Sequence, residues 1–373
     1  MTDTILLDAR YLKPRQSGIG RHVGALLQRL PSLAPDIEWR AWIAAANRQL
    51  LPSHPSLRPV INDYEPNGLG ALLPQSMLFE FAGAGLFHSP HNTLGPNVRL
   101  PSIVTVHDIM WLTDREYCDP RPMVGRARQW FFRSGIERAI KDAAHILTVS
   151  KASADALVRY DKRVAKKITV TPNAADTSFS LPTDAHASRS QVDKIVGEDT
   201  TYYLVVGQNQ ASKGHAIAVR AFAAVPSTHK LVLLQRRRPG RGLARLVQEL
   251  NIEDRVQWLC EVNETDLVCL LQNAYALLQP SLAEGFGMPA LEAMSCGCPV
   301  IASDIPPLVE VLGGAGIHAR AGDVEGLAEA IKKMNDPSLR AALSEKSARS
   351  AERFSWQETA ETALTIYRKV LES

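Results

Sequence analysis

Cysteine is scarce in this chain of 373 residues: there are five, an odd number, which leaves no complete disulfide framework and points to reduced thiols. Cys296 and Cys298 form a C-x-C, but without a second pair or a nearby histidine they read as small buried residues, not metal ligands. Charge of one sign is lacking too. A formal net charge of +3 is too small for a dedicated nucleic-acid binder, whose basic excess concentrates on one face. No apolar run approaches the roughly 20 residues of a membrane span. The opening MTDTILLDARY carries an acid where a signal peptide needs positive charge, so a cytoplasmic location is expected. Short repeats and low-complexity tracts are absent as well. What remains is an ordinary globular composition, 45% hydrophobic and 22% charged, in a chain long enough for two domains of roughly 150–200 residues each.

Apolar strand-like runs alternate with helical patterns along the whole length, as expected of parallel sheets with helices on both faces. The first half predicts strands at Ile5–Asp8, Trp39–Ala44, Ile103–His107, Ile146–Ser150 and Ile168–Thr171. The second predicts Tyr202–Gly207, Leu231–Gln235, Val256–Leu259, Tyr275–Gln279 and Val300–Ala302. Two such blocks imply an α/β protein of two doubly wound, Rossmann-like domains facing each other across a cleft. The polar stretch Ala175–Glu198 is the expected linker, giving domains at 1–177 and 178–355.

Tyr275–Ala302, YALLQPSLAEGFGMPALEAMSCGCPVIA, is the most informative stretch. A short strand is broken by Gly285 and Gly287, and Pro289 suits the first turn of a helix that ends at Gly297, before a second strand. The helix start offers unpaired N–H groups and a positive dipole end to an anion such as a diphosphate. Glu284 in the loop and Glu292 in the first turn place two carboxylates at one cleft, able to accept hydrogen bonds from hydroxyls. The expected division is Glu284 to a sugar and Glu292 to a ribose. The backbone of Gly285, Phe286, Gly287, Met288, Pro289, Ala290 and Leu291 would hold the phosphates between them.

Ligands of open α/β sheets bind at the carboxyl ends of the strands. Gly18 and Gly20 would let backbone N–H groups approach phosphate or sugar. Gly18, Gly20 and Gly24 also mimic a dinucleotide fingerprint, but that needs a tight turn directly after the strand, whereas the polar stretch Ala9–Ser17 intervenes. His107 and Asp108 end one strand; His88, His91 and Asn92, in FHSPHN, end another and line an acceptor pocket or simply pack. Lys213 opens a helix after Gly207-Gln208 and can offer charge to a leaving diphosphate. Arg236, Arg237 and Arg238 follow a further strand and either add charge to the cleft or form a solvated face. Lys162, Arg163, Lys166 and Lys167, with the basic and aromatic residues from Arg126 to Lys141, are read as solvated faces, the alternative being peripheral contact with an anionic membrane.

The E-x7-E arrangement within EGFGMPALEAM closely resembles the retaining glycosyltransferases of family GT4, and the opening DAR-x-L…SGIGRHV is similar to its mannosyltransferase-like branch. That resemblance implies the GT-B fold, an acceptor-binding N-terminal domain, a donor-binding C-terminal domain, and a closing helix, 356–373, that crosses back to the first. It implies transfer of a hexose from GDP-mannose, or second from a UDP-sugar, to a glycan or lipid-linked saccharide. No metal and no cofactor beyond the nucleotide sugar are expected. Catalytic duties would fall to His107, Lys213 and Glu284, with His107 near the sugar C6 hydroxyl and Asp108, His88, His91 and Asn92 toward the acceptor. The chain departs from the commoner family pattern at Gln208, where arginine usually follows the glycine. A nucleotide-sugar 2-epimerase of the same fold and a catalytically weak sugar-nucleotide binder are the alternatives.

Overall fold

The structure is a computed structural model and describes residues 3–15, 17–68, 81, 83–119, 121–236 and 240–372. The chain divides into two compact units, 1–115 with 119–173 and 355–373, and 116–118 with 174–354.

In the first unit the strands β1 (Thr4–Asp8), β2 (Glu38–Ile43), β3 (Leu57–Ile61), β4 (Leu86–Ser89), β5 (Ser102–Val106), β6 (His145–Thr148) and β7 (Ile168–Val170) form a parallel sheet in the order β3-β2-β1-β4-β5-β6-β7. Successive side chains serve opposite faces: Ile5 and Leu7 belong to one core, Leu6 to the other, and all three are buried. Burial on both faces is why these strands read as continuous apolar runs instead of alternating ones. Helix α1 (Gly18–Leu33) covers the first face together with the closing helix of the chain, Trp356–Leu371. Among the described residues of this unit, three further helices follow: α2 (Met110–Thr113), α3 (Pro122–Asp142) and α4 (Lys151–Tyr160). Ile136, Ala139 and Ile140 of α3 fill the opposite core.

The second unit repeats the plan with β8 (Tyr202–Val206), β9 (Lys230–Gln235), β10 (Val256–Cys260), β11 (Ala276–Gln279), β12 (Val300–Ser303) and β13 (Ile317–Ala319), all parallel, in the order β10-β9-β8-β11-β12-β13. Each sheet therefore reverses its winding once, between β1 and β4 and between β8 and β11.

Two features depart from the sequence reading. The stretch Ala175–Glu198 is not a bare linker: it holds helix α5 (Ala185–Val196), N-capped by the Asp184 side chain. Ser188, Val192 and Val196 make its narrow buried stripe, so most of the helix is polar and its periodicity is weak. Strands β3 and β13 lie at the sheet edges, where Pro59 costs no ladder bond and three residues suffice, which hides both from an apolar-run criterion.

The closing helix, α13 in the count completed below, reaches a buried polar contact inside the sheet. Tyr367 Oη and His88 Nδ1 share a hydrogen bond of 2.6 Å, and His88 Nε2 and Thr105 Oγ1 another of 2.9 Å, all three groups being buried. His88 thus has both ring nitrogens committed inside the sheet, in line with the packing alternative named for it. Tyr367→Phe leaves that buried ring nitrogen without its partner and should destabilise the protein by about 1–3 kcal/mol, as measured by chemical denaturation; an unchanged midpoint would contradict the contact.

Candidate functional site

In the second unit the crossover reversal leaves a gap between the carboxyl ends of β8 and β11, and Lys213 and Glu284 meet beside it. After β8 the chain runs through Gly207 and Gln208 to a short helical turn, Ala211–Lys213, and then α6 (His215–Ala223). Lys213 thus ends that turn two residues before the helix. After β11 it runs from Pro280 to Gly287 and into α9 (Met288–Ser295); α7 (Arg241–Glu249) and α8 (Glu264–Asn273) lie between them in sequence, and α10 (Pro306–Leu312), α11 (Val324–Lys333) and α12 (Pro337–Ala351) precede α13 (Trp356–Leu371). The two loops are tied: Leu282 N–H donates to Ser212 O at 2.7 Å.

Lys213 Nζ donates to Glu284 Oε1 at 2.7 Å, with the lysine 28% and the carboxylate 9% exposed. The same oxygen accepts from Ser281 Oγ at 2.9 Å and Gln279 Nε2 at 3.2 Å. Oε1 is saturated, and Oε2 carries no partner among the described residues. One oxygen holds the carboxylate in place and the other is available to a ligand hydroxyl.

Gly287 caps α9 with φ +111°, and a Cβ there would sit 2.5 Å from Leu308 Cδ2, so both backbone shape and space demand glycine. Pro289 stands in the first turn as expected, but Glu292 does not: it lies a turn further in and is 4% exposed. With the helix starting at Met288, Glu292 is its fifth residue. Phe286, Ala290 and Leu291 are buried, Phe286 with its ring against Phe354 at 5.5 Å, so their offering to a ligand is backbone only. Gln208 Nε2 is buried without a partner. Arg236 is exposed, while Arg237 and Arg238 lie outside the described residues.

In the first unit His107 follows β5 and is fastened on every side. Its N–H donates to Asn92 Oδ1 at 2.6 Å, its Nε2 lies 2.9 Å from Pro90 O, and its carbonyl accepts from Ser153 Oγ at 3.1 Å. Asn92 takes φ +38° to make that bond, so it positions His107. His22 packs edge-on against His107 at 5.1 Å and bonds Asn173 Oδ1 through Nδ1 at 2.9 Å, its Nε2 being buried and unpartnered. Burial holds both imidazoles neutral, His107 down to about 3 and His22 to about 4. Asp108 Oδ1 accepts from Met110 N–H at the start of α2. Gly18 and Gly20 lie inside the first turn of α1, not in a loop before it, with Ser17 Oγ capping Gly20 N–H at 3.1 Å.

Sequence reasoning missed a buried triad at the β1–β4 reversal. Asp8 receives Arg10 Nε at 2.8 Å and Nη2 at 2.6 Å, and His91 Nε2 lies 2.9 Å from Asp8 Oδ2. Burial opposes ionisation of Asp8, yet the Arg10 guanidinium and the bonds it accepts hold its carboxyl far below the usual carboxylate range. The clue was an Asp at a strand end followed two residues later by Arg; Ala9 and Leu12 beside them are buried. Among the basic residues considered for a membrane, Arg163 is forked onto Asp161 and Lys167 Nζ donates to the Lys141 and Ala143 carbonyls. No helix among the described residues is long and apolar enough to cross a membrane, and no three His, Cys, Asp or Glu side chains come together there as metal ligands.

The model described as Glycosyltransferase Family 4 matches residues 16–179, and the one described as Glycosyl transferases group 1 matches residues 189–350. The chain is 29% identical over 259 residues to the O-antigen chain mannosyltransferase RfbU of Salmonella typhimurium, covering 69% of this chain and 67% of that one. Among solved structures, sucrose-phosphate synthase from Thermosynechococcus elongatus superposes with a TM-score of 0.76 at 21% identity, covering 99% of both chains. HepE from Anabaena, in complex with UDP-glucose, superposes with a TM-score of 0.74 at 19% identity, covering 97% of this chain and 99% of that one.

The neutral histidines have a pH signature. An unfolded histidine takes up a proton near pH 6.5, whereas folded His22 and His107 do not until about 4 and about 3. Their contribution is therefore intact above pH 6.5 and lost as pH falls toward 4, by up to roughly 1.4 kcal/mol per pH unit for each proton taken up. Denaturation midpoints should fall over that window, and His107→Asn should flatten the fall; a flat wild-type profile from pH 6.5 to 4.5 would contradict the buried neutral pair.

Proposed function

Because this chain belongs to the GT4 glycosyltransferases and has their GT-B fold, we propose that it moves a hexose, with retention of anomeric configuration, from a nucleotide sugar to a glycan or lipid-linked saccharide acceptor. The observation that carries this reading is the Lys213–Glu284 pair at the sheet reversal beside the start of α9. Donor binding would draw Lys213 toward the diphosphate, where the helix start also faces negative charge, while Glu284 accepts a sugar hydroxyl on Oε2. The cation and the carboxylate neutralise each other until a ligand offers each a better partner. Gln208, with its unpartnered buried Nε2, would supply a neutral hydrogen bond where relatives of the commoner pattern place a charge. Arg236, with Arg237 and Arg238, remains our proposal for the missing positive charge.

A double displacement needs a carboxylate nucleophile beneath the anomeric carbon. A front-face substitution needs none, and it is the mechanism we favour. The bond from the anomeric carbon to the phosphate oxygen breaks, the acceptor oxygen bonds on the same face, and the acceptor proton passes to the departing phosphate without a metal. His107, held neutral and anchored by Asn92, suits positioning of the donor sugar better than proton transfer, because a group that is not protonated above about pH 3 is a poor acid at neutral pH. GDP-mannose is the first donor to test, in line with the O-antigen mannosyltransferase relative. A UDP-sugar is the second, in line with the UDP-glucose in HepE. The product would serve cell-surface polysaccharide synthesis from the cytoplasmic side. Peripheral membrane contact, if present, has a ready surface in Met123, Val124 and Trp130, which α3 exposes beside Arg126.

Purified Glu284→Ala should keep the fold and lose transfer, and Lys213→Ala should act mainly on turnover. Unchanged turnover in either variant, assayed with labelled nucleotide sugars, would remove that residue from the mechanism. Glu292→Gln, whose proposed partner is the ribose, should weaken donor binding by about 1–2 kcal/mol in calorimetry; an unaltered affinity would sink that assignment.

A further inference from the structure

The α3 face of the first sheet carries a small, solvent-open pocket of about 20 Å³, room for one small polar group of a ligand whose remainder lies outside. It sits at the carboxyl ends of β1 and β4, where the winding of that sheet reverses, the place where open α/β sheets receive ligands. Its wall is built in advance. Leu94 N–H donates to Gly135 O at 3.1 Å and Leu94 O accepts from Arg138 Nε at 2.9 Å, which clamps the chain after β4 onto α3. The clamp requires glycine at 135, since a Cβ there would lie 2.6 Å from Thr93 Cβ.

Charge in the pocket is unbalanced. Asp8 is committed to Arg10 and His91, so the floor of Arg10, Ser89 and His91 leaves no spare negative charge. Arg138, half-buried in the wall, makes its one hydrogen bond through Nε to a neutral carbonyl. Both terminal nitrogens lack a partner among the described residues, and no carboxylate bonds it. Burial pushes its guanidinium down from the usual value, and Asp142 one turn away opposes this only through space. A guanidinium with two unused N–H₂ groups at a pocket matches an oxyanion in the two-pronged geometry that arginine favours.

We propose that this pocket binds the anionic group of an acidic acceptor saccharide, a phosphate or a uronate carboxylate, with Arg138 as its main ligand; the acceptor role rests on the transferase reading above. The test is calorimetric titration of the full chain, its donor site saturated with a nucleoside diphosphate, using glucose 6-phosphate, glucuronic acid and glucose as probes. At least one acidic probe should bind, its identity separating phosphate from carboxylate, and glucose should not. Arg138→Gln should weaken that binding roughly tenfold or more, with Arg138→Lys in between. Should Arg138→Gln fail to fold for want of the Leu94 bond, Phe131→Glu, which places negative charge on the pocket lining and keeps that bond, must abolish binding instead. Equal binding by Arg138→Gln and wild type, equal binding of glucose, or no binding of either acid overturns the proposal. Donor binding separates the two readings: Arg138-dependent binding in a wild-type protein that binds neither GDP- nor UDP-sugars would overturn the transferase assignment and leave the anion site standing.

Discussion

Parallel strand pairing is the constraint from which the rest follows. With all paired strands of each sheet parallel among the described residues, the carboxyl ends of a sheet share one edge and every crossover must pass over a face. The faces are then covered by helices, the strands are buried on both sides, and polar chemistry is pushed to the edge where the loops emerge. Winding that begins in one direction and then reverses opens a gap at one position in each sheet. Asp8, Arg10 and His91 occupy the gap in the first unit, and Lys213 and Glu284 flank the one in the second.

The two gaps are filled with opposite electrostatic logic. In the first, Asp8 is deeply buried and its charge is consumed by Arg10 and His91, so the triad behaves as a rigid structural unit whose breaking would strand a buried charge. In the second, Lys213 is more than a quarter exposed and Glu284 keeps one oxygen free. Lys213 can turn to a ligand while Ser281 and Gln279 still hold Glu284 Oε1 in place. Preorganised but exchangeable groups beside a helix start are what a site for a sugar diphosphate needs.

The strand–loop–helix around Glu284 was legible because its information is local: two glycines, a proline and two acids within a few residues define both backbone and chemistry. The interior strands were legible from their apolar runs for the same reason, whereas the edge strands β3 and β13 were not. What escaped is long-range. His91 finds Asp8 across 83 positions, Tyr367 finds His88 across 279, and no local pattern encodes either meeting. Glu292 was placed in the first turn, but with Gly287 as N-cap it is the fifth residue of α9 and is buried, a depth set by the packing around the helix. Helix α5 was missed because its buried stripe is only three residues wide.

The central claim is that Lys213 serves the diphosphate and Glu284 the sugar, each released from the other by the donor. Affinities of a free nucleoside diphosphate and of the corresponding nucleotide sugar, measured by calorimetry on wild type, Lys213→Ala and Glu284→Ala, separate the two roles in one experiment. The account predicts that loss of Lys213 weakens both ligands. Loss of Glu284 should leave the diphosphate bound at least as well as before, while removing the added affinity that the sugar provides. Equal affinities of all three proteins for both ligands would contradict it.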